Sequence, residues 1–536
     1  MRQTLAFDQR MSETEAAVRR EGCMPVEDQS AAIAFLRDPG SHGITSPVEV
    51  IETHISLIFL AGDKAYKLKR AVKLPYADFS TLDLRKRYCH REVELNCRTA
   101  PEIYSGVRSI GRDANGDVAF DAEASPIDYV VEMHRFSQDK LFDRMAETGS
   151  LPKTLMEETA ERIADFHGMA EVLHTGSGEA NLAAVLDINH AAFSAVPLFS
   201  ADETNRLNRL FRDALDRHAS LLNEREQDGM IRHCHGDLHL HNIFLGPEGP
   251  RMFDCIDFNE GLATSDILYD LAFLLMDLWH RNLPEYANAV VNRYLDRTGD
   301  DAGFGLLPFL LGLRAAIRAH VGATLVRNLG DRTGHGAEEA IAYRDLALDL
   351  LQRKEPMLVA IGGLSGSGKS TLAEAMAPRL GLAPGARLLE SDRLRRVMLG
   401  HERGHPMPQD AYKPEISARV YATLAEKSGM VLRSGGCVVA NAVFAHADER
   451  IAIEEVARAN HVPFVGLWLE ADPAVLRARV EARPVVDSDA TVSVLDKQLE
   501  SGTGPIGWHR IDAASPPASV AQAALDLAAA CKLSEG

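Results

Sequence analysis

The sequence has no excess of basic residues, no cysteine pairing pattern, and no apolar run approaching the roughly eighteen residues a membrane span requires. Acidic residues outnumber basic ones, 77 to 58, for a formal charge of -19. Such a field repels nucleic acid phosphates and anionic lipid unless a local basic patch intervenes, so neither a nucleic acid nor a membrane is an expected partner. The seven cysteines, at positions 23, 89, 97, 234, 255, 437 and 531, include no CxxC pair and suit reduced thiols better than a disulfide framework. The stretch from Met1 to Arg20 is polar and carries Asp8, Glu13 and Glu15 where a secretory signal would need an apolar segment. Together these absences predict a cytoplasmic protein.

What is present is enough for several cores. A chain of 536 residues predicts two to four domains, and 46% apolar with 25% charged residues is ordinary globular composition. The first two thirds is organised around His235-Gly-Asp237-Leu-His239-Leu-His241-Asn242, followed by Phe253-Asp-Cys-Ile-Asp257-Phe258. In kinase chemistry an Asp accepts the proton of the acceptor hydroxyl, while an Asn and a second Asp hold the magnesium ions that neutralise the triphosphate. The spacing of Asp237, Asn242 and Asp257 fits those jobs, with Asp237 as base and Asn242 and Asp257 as metal ligands. The histidines in this stretch lack the paired spacing of zinc ligands and are read as part of a catalytic loop.

These motifs resemble the aminoglycoside phosphotransferase (choline kinase-like) family, which implies a protein-kinase-like bilobal fold. Further along, Gly363-Leu-Ser-Gly-Ser-Gly368-Lys369-Ser370 is a complete P-loop in strand, loop, helix context. The whole chain is therefore similar to bacterial two-domain proteins that fuse a phosphotransferase-like domain to a P-loop kinase or AAA-family ATPase domain. The expected fold is mixed α/β and α+β. A kinase-like N-lobe is placed over residues 1–135, its helical C-lobe over 136–351, and a P-loop NTPase domain with a parallel sheet over 356–536. The charged linker Gln352-Arg-Lys-Glu-Pro356 separates the last two.

In the N-lobe, Val48 to Leu60, a turn at Ala61 to Lys64, and Ala65 to Lys69 read as a hairpin. A kinase-like lobe takes its phosphate-binding Lys from the second strand, and Lys67 is favoured over Lys69. A helix from about Leu82 to Arg98 offers Glu92, favoured over Glu94, as the ion-pair partner. No GxGxxG precedes Lys67, so backbone amides or the hydroxyls of Thr53 and Ser56 would have to meet the phosphates. Glu132 to His134 stands where a hinge would contact adenine. His167 reads as a satisfied core histidine. Arg314 and Arg318, four apart on one helix face, are either acceptor-binding groups or, by preference, partners in salt bridges to a neighbouring helix.

In the C-terminal domain the loop amides from Gly363, Ser365, Gly366, Ser367 and Gly368 are expected to cradle phosphates, with Thr371 close by. Lys369 reaches the β- and γ-phosphates, and Ser370 ligates magnesium. Asp392 resembles the general base of small-molecule kinases of this fold, with Arg395 orienting the acceptor. Asn441 stands where relatives usually carry an Asp in the magnesium shell, and Asp392 is the candidate substitute. One of Arg477, Arg479 and Arg483 is expected to serve as a lid arginine. The expected activity is a bifunctional ATP- and Mg2+-dependent transfer of the γ-phosphoryl to hydroxyls of small-molecule acceptors. The alternative is a regulatory ATPase or nucleotide sensor whose P-loop domain gates the other. The acceptors and the oligomeric state are not written in the sequence.

Overall fold

The computed structural model describes residues 27–534 apart from 54, 75–76, 123–124, 330–333, 402–404, 406 and 483–490. Cys23, His54 and Arg483 lie outside the described residues. The chain forms two compact units. The first comprises residues up to Asp277 together with Gly312–Leu348, and the second Leu278–Leu311 together with Asp349–Gly536.

The first unit opens with a six-stranded sheet in the order β1-β2-β3-β6-β4-β5. Its strands are β1 (Glu49–Glu52), β2 (Ser56–Ala61), β3 (Lys64–Lys69), β4 (Tyr104–Arg112), β5 (Val118–Phe120) and β6 (Pro126–His134). The stretch Val48 to Leu60, expected as the first strand of the hairpin, is two strands, broken where Thr53 Oγ1 accepts the Ser56 amide at 2.9 Å. Alternation along β3 divides its side chains. Tyr66 and Leu68 join a core with Phe59 and Ile110 on one face, which leaves Lys67 and Lys69 to the other. Helix Leu82–Asn96, capped by the Thr81 side chain on the Leu84 amide, lies between β3 and β4 in the chain and buries Cys89, Glu92 and Asn96. Then come helices Lys153–Met169, Gly178–Ala195 and Ala201–Gln227, the last opened by a Ser200/Glu203 capping box. Two short antiparallel pairs frame the central motif. Strand β7 (Ile231–His233) pairs with β10 (Thr264–Asp266), and β8 (Ile243–Gly246) pairs with β9 (Gly249–Met252).

The second unit is built on a five-stranded parallel sheet in the order β12-β13-β11-β14-β15. The strands are β11 (Leu358–Gly363), β12 (Arg387–Glu390), β13 (Val438–Asn441), β14 (Phe464–Glu470) and β15 (His509–Asp512). Every residue of β11, β12 and β13 is buried, as expected of strands covered on both faces.

Helix Pro284–Thr298 and the 3-10 turn Asp301–Leu306 belong to this second unit, although the sequence reading placed them in the helical lobe of 136–351. The reason is a buried polar seam against edge strand β12. Arg387, fully buried, meets Asp301 at 2.6 Å, Asp296 at 2.8 Å and the Asn292 side chain at 3.0 Å. Asn288 donates to the carbonyls of Pro384 and Ala386, both at 2.9 Å. Lys427 adds a second cation on Asp301. Gly305 packs so tightly on Ser434 that a Cβ there would lie 1.8 Å from the Ser434 carbonyl oxygen.

The segment Asp301–Arg327 has the length and apolar composition of a membrane span, which the sequence reading overlooked because Arg314 and Arg318 interrupt it. Of its most apolar window, 72% is buried within the protein, as in a core helix. The six described cysteines are free thiols.

Candidate active sites

In the first unit two loops meet beside β3. The 253–257 loop is pinned by four backbone amides. Phe253 donates to the Asn242 carbonyl at 3.0 Å, Asp254 to the Tyr104 hydroxyl at 3.2 Å, Cys255 to Asn96 Oδ1 at 2.9 Å, and Ile256 to the His235 carbonyl at 3.0 Å. Asp254 takes a left-handed conformation, φ 59°, which costs a non-glycine residue and is held here by its neighbours.

The loop carries two carboxylates to the lysines. Lys69 Nζ lies 2.7 Å from Glu92 and 2.7 Å from Asp257, while Lys67 Nζ lies 2.8 Å from the other Glu92 oxygen and 2.5 Å from Asp254. Three carboxylates thus share two ammonium groups. Glu92 is fully buried, whereas Glu94 is 67% exposed against Arg91. The sequence favours Lys67 over Lys69, but the structure brings both to Glu92, and it is Lys69 that reaches Asp257. Asp254 was given no role. Its position three residues before Asp257 in a short apolar run was the available signal.

Burial opposes the charge on both lysines, yet the surrounding carboxylates outweigh it and hold them above their ordinary range. Burial likewise opposes ionisation of Glu92, and Lys67 and Lys69 overcome it, so its carboxyl is held below its ordinary value. Asp257 is pushed up, first by burial and then by the like charge of Glu92, with Lys69 offsetting part of the effect. A hard cation prefers such oxygen donors. Asp257, Asp254 and Asn242 offer oxygens of the kind magnesium takes, on the two loops that meet beside β3.

The neighbouring loop sets Asp237. Asn242 Nδ2 donates to both the backbone and the side-chain oxygen of Asp237, each at 2.9 Å. The Asp237 side chain keeps 41% of its surface open, with His239 Nε2 at 3.5 Å. Burial works against its ionisation, but His239 and His235 outweigh this and hold the carboxyl below its usual range. An exposed carboxylate with one oxygen fixed can accept a proton from a bound hydroxyl.

Behind the loop, fully buried Asp270 accepts the amides of His235 at 3.1 Å and Gly236 at 2.8 Å, and pairs with His167 Nε2 at 3.1 Å. His167 is 1% exposed on its side chain and serves as a brace. Asp277 accepts the Leu240 amide at 3.0 Å, and Asp143 meets His241 Nδ1 at 2.7 Å. The histidines are spent on separate partners: His233 faces Arg98, and His235 Nε2 meets the Phe253 carbonyl at 3.0 Å.

Arg314 corrects both expectations held for it. It is buried, donates to the carbonyls of Tyr269 at 3.1 Å and Gly236 at 3.3 Å, and lies over the Tyr269 ring at 3.8 Å. It holds the loop at Gly236 from behind. Arg318 is exposed and lies over Tyr343 at 5.8 Å. Ser56, opposite Lys69 in the β2–β3 register, has a buried hydroxyl without a protein partner. Thr53 uses its own hydroxyl within the turn. Glu132 spends its carboxylate on Lys64 at 2.6 Å and Arg108 at 3.2 Å.

In the second unit the P-loop leaves the end of β11 and closes on helix Lys369–Met376. Gly363 (φ 146°) and Gly366 (φ 82°) are needed both for their backbone angles and for space, since a Cβ on either would lie 2.6 Å from a carbonyl oxygen, that of Leu469 or Leu476. Gly368, at φ 88°, caps the helix. Lys369 Nζ donates to the Leu364 carbonyl at 3.2 Å, and the Ser365 amide donates to Gln498 Oε1 at 3.0 Å. Ser367 is buried with its hydroxyl unpartnered, and Thr371 is exposed on the first turn of the helix. Amides at a helix N-terminus with an adjacent ammonium suit a polyphosphate.

Asn441 ends β13 and donates to Ser370 Oγ at 3.1 Å and to Glu390 Oε1 at 2.6 Å. Asp392 is exposed on helix Ser391–Met398. Arg395, expected to orient an acceptor, is buried and instead donates to the Ala411 carbonyl at 2.8 Å and Ser417 Oγ at 3.3 Å. Of the lid candidates, Arg477 pairs with Asp496 at 2.8 Å and Arg479 donates to the Ala513 carbonyl at 2.9 Å.

Two stretches of the chain match known families. Residues 122–306 match the phosphotransferase enzyme family, and residues 358–505 match the AAA domain. An uncharacterized protein of Mycobacterium tuberculosis H37Rv is 29% identical over 494 residues, 89% of this chain and 95% of its own length. Among solved structures, a gluconokinase from Sinorhizobium meliloti 1021 is 26% identical, covering 34% of this chain and 96% of its own, with a TM-score of 0.24. A choline/ethanolamine kinase family protein from Mesorhizobium loti is 15% identical, covering 60% and 94%, with a TM-score of 0.39. The first match takes in Asp237, Asn242 and Asp257 and the second takes in the P-loop, Glu390 and Asn441, so the chain joins a domain of phosphotransferase-family type to a P-loop domain of AAA type.

Proposed function

We propose that each domain transfers the γ-phosphoryl of ATP to a hydroxyl of a small-molecule acceptor, with magnesium as cofactor, in the cytoplasm. The observation that carries this reading is the arrangement around Asp237. An open carboxylate fixed by Asn242 stands in the same loop system as Asp257, which is tied to Glu92 through Lys69. That separates the work. Lys67 and Lys69 supply charge for the phosphates, Asp257, Asp254 and Asn242 supply oxygen donors for magnesium, and Asp237 takes the acceptor proton. Bound magnesium would neutralise the developing charge on the transferred group. In the second domain the phosphate groups belong to the P-loop amides and Lys369, and Asp392 is the candidate base.

The test is ADP release over a panel of alcohols, sugars and nucleosides, with Asp237→Asn and Lys369→Ala as separate blanks. Acceptor-dependent ADP abolished by Asp237→Asn, and a second such activity abolished by Lys369→Ala, is the expected result. Release at the second site that no acceptor stimulates would favour the sensor reading for the P-loop domain.

A further inference from the structure

A buried carboxylate reaches Ser370 through one intervening residue, Asn441, and stands on a different strand from the one expected to carry it. Ligands of open parallel sheets bind beyond the carboxyl ends of the strands. At that edge Ile361 of β11 pairs with Asn441 of β13, which in turn pairs with Glu390 of β12. Asn441 and Glu390 are both buried, at 4% and 7% exposure. The Asn441 amide nitrogen reaches Ser370 Oγ at 3.1 Å and Glu390 Oε1 at 2.6 Å, so one small group joins the P-loop hydroxyl to the buried acid. The second oxygen of Glu390 pairs with Arg393 Nε at 2.5 Å. Arg393 also stands 3.7 Å from Asp296 and 3.7 Å from Glu374.

From this geometry we infer that Glu390 is the acidic group of the P-loop magnesium shell, moved from the end of β13 to the end of β12, with Asn441 as its positioning residue. The inference rests on the reading of this site as a nucleotide site. The donor set fits. Ser370 Oγ and the Glu390 carboxylate are hard oxygen donors, linked through Asn441, and the buried unpartnered hydroxyl of Ser367 lies in the same loop. Asp392 is the weaker candidate, because it is exposed on the helix that follows. It therefore remains available as base.

The arrangement also explains why residue 441 is not an acid. An Asp at 441 would set a second carboxylate 2.6 Å from Glu390, and two like charges so close cannot both ionise. Asn supplies the donor that Glu390 requires. Asn441→Asp alone should therefore weaken magnesium-dependent binding, and only together with Glu390→Gln should it restore it.

The experiment is calorimetric binding of a non-hydrolysable ATP analogue to the full chain, with and without Mg2+, with the Lys369→Ala isotherm subtracted to isolate this site. Removing a group that tunes a metal site typically lowers metal affinity by about 10–100-fold. Glu390→Gln should therefore cut the Mg2+-dependent gain in affinity by a factor in that range and leave Mg2+-free binding unchanged. Glu390→Gln with Asn441→Asp should recover most of it, which a merely structural role for Glu390 would not allow. Glu390→Asp serves if the Gln variant does not fold. A Glu390→Gln isotherm like that of the unmodified protein, or no recovery in the double variant, would overturn the inference. So would loss of the Mg2+ effect in Asp392→Asn alone. Identical isotherms for the unmodified protein and Lys369→Ala would instead overturn the nucleotide-site reading beneath it.

Discussion

Asp270→Asn isolates how the catalytic loop of the first domain is held. The carboxylate is fully buried and accepts two loop amides, His235 at 3.1 Å and Gly236 at 2.8 Å, plus His167 at 3.1 Å. Burial opposes its ionisation, but the hydrogen bond and charge of His167 prevail and bring its pKa from 3.8 down to about 2. A folded pKa below the unfolded one means the stabilisation is present above about pH 4 and is lost as pH falls toward 2. A difference of nearly two units corresponds to about 2 kcal/mol at neutral pH. Direct counting of bonds agrees, since a charge-assisted hydrogen bond contributes about 1.5–3 kcal/mol and Asn keeps only one acceptor oxygen. Hydrogen exchange at the His235 and Gly236 amides reads this without any acceptor. Asp270→Asn should speed their exchange about 30- to 150-fold, the factor that 2 to 3 kcal/mol implies, while amides of the six-stranded sheet change little. Unchanged exchange at both amides would refute the bracing role.

Three further outcomes follow from the same geometry. Burial pushes the His320 ring down to about 4, below its ordinary 6.5, so the first domain loses stability as pH falls from 6.5 to 4, by about 3 kcal/mol; urea midpoints of His320→Gln, followed by circular dichroism, should lose that part of the pH slope. Asp301→Ala leaves buried Arg387 and nearby Lys427 short of a counter-charge and should destabilise the second unit by about 3–5 kcal/mol; all three tryptophans, 279, 468 and 508, lie in that unit, so their fluorescence reports its unfolding alone. Gly363→Ala should abolish analogue binding at the P-loop, because its Cβ would stand 2.6 Å from the Leu469 carbonyl oxygen; retained binding by calorimetry would show that the loop has more room than the structure gives it.

What the sequence makes legible is local. The P-loop is contiguous, and its glycines answer to backbone angles within one turn, although the carbonyls of Leu469 and Leu476 that leave no room for a Cβ lie far along the chain. The Asp237–Asn242 pair is set by a short loop, and the alternation of β3 puts Lys67 and Lys69 on one face. Long-range pairing leaves no such trace. Arg387 finds Asp296 and Asp301 some ninety positions earlier in the chain, so the seam that draws Pro284–Thr298 into the second unit shows no spacing to read. Arg314 looked like a helix-face charge because its targets are backbone carbonyls, which have no sequence signature. Glu390 was hidden by Asp392, which carries the familiar motif two residues on, and only the β12–β13 register brings Glu390 to Asn441.

The central claim is that one chain holds two independent nucleotide sites. Calorimetric titration of the full chain with a non-hydrolysable ATP analogue and Mg2+ tests it most directly. The account predicts two equivalents bound, one after Lys369→Ala and one after Asp257→Ala. A single equivalent in the unmodified protein would contradict it.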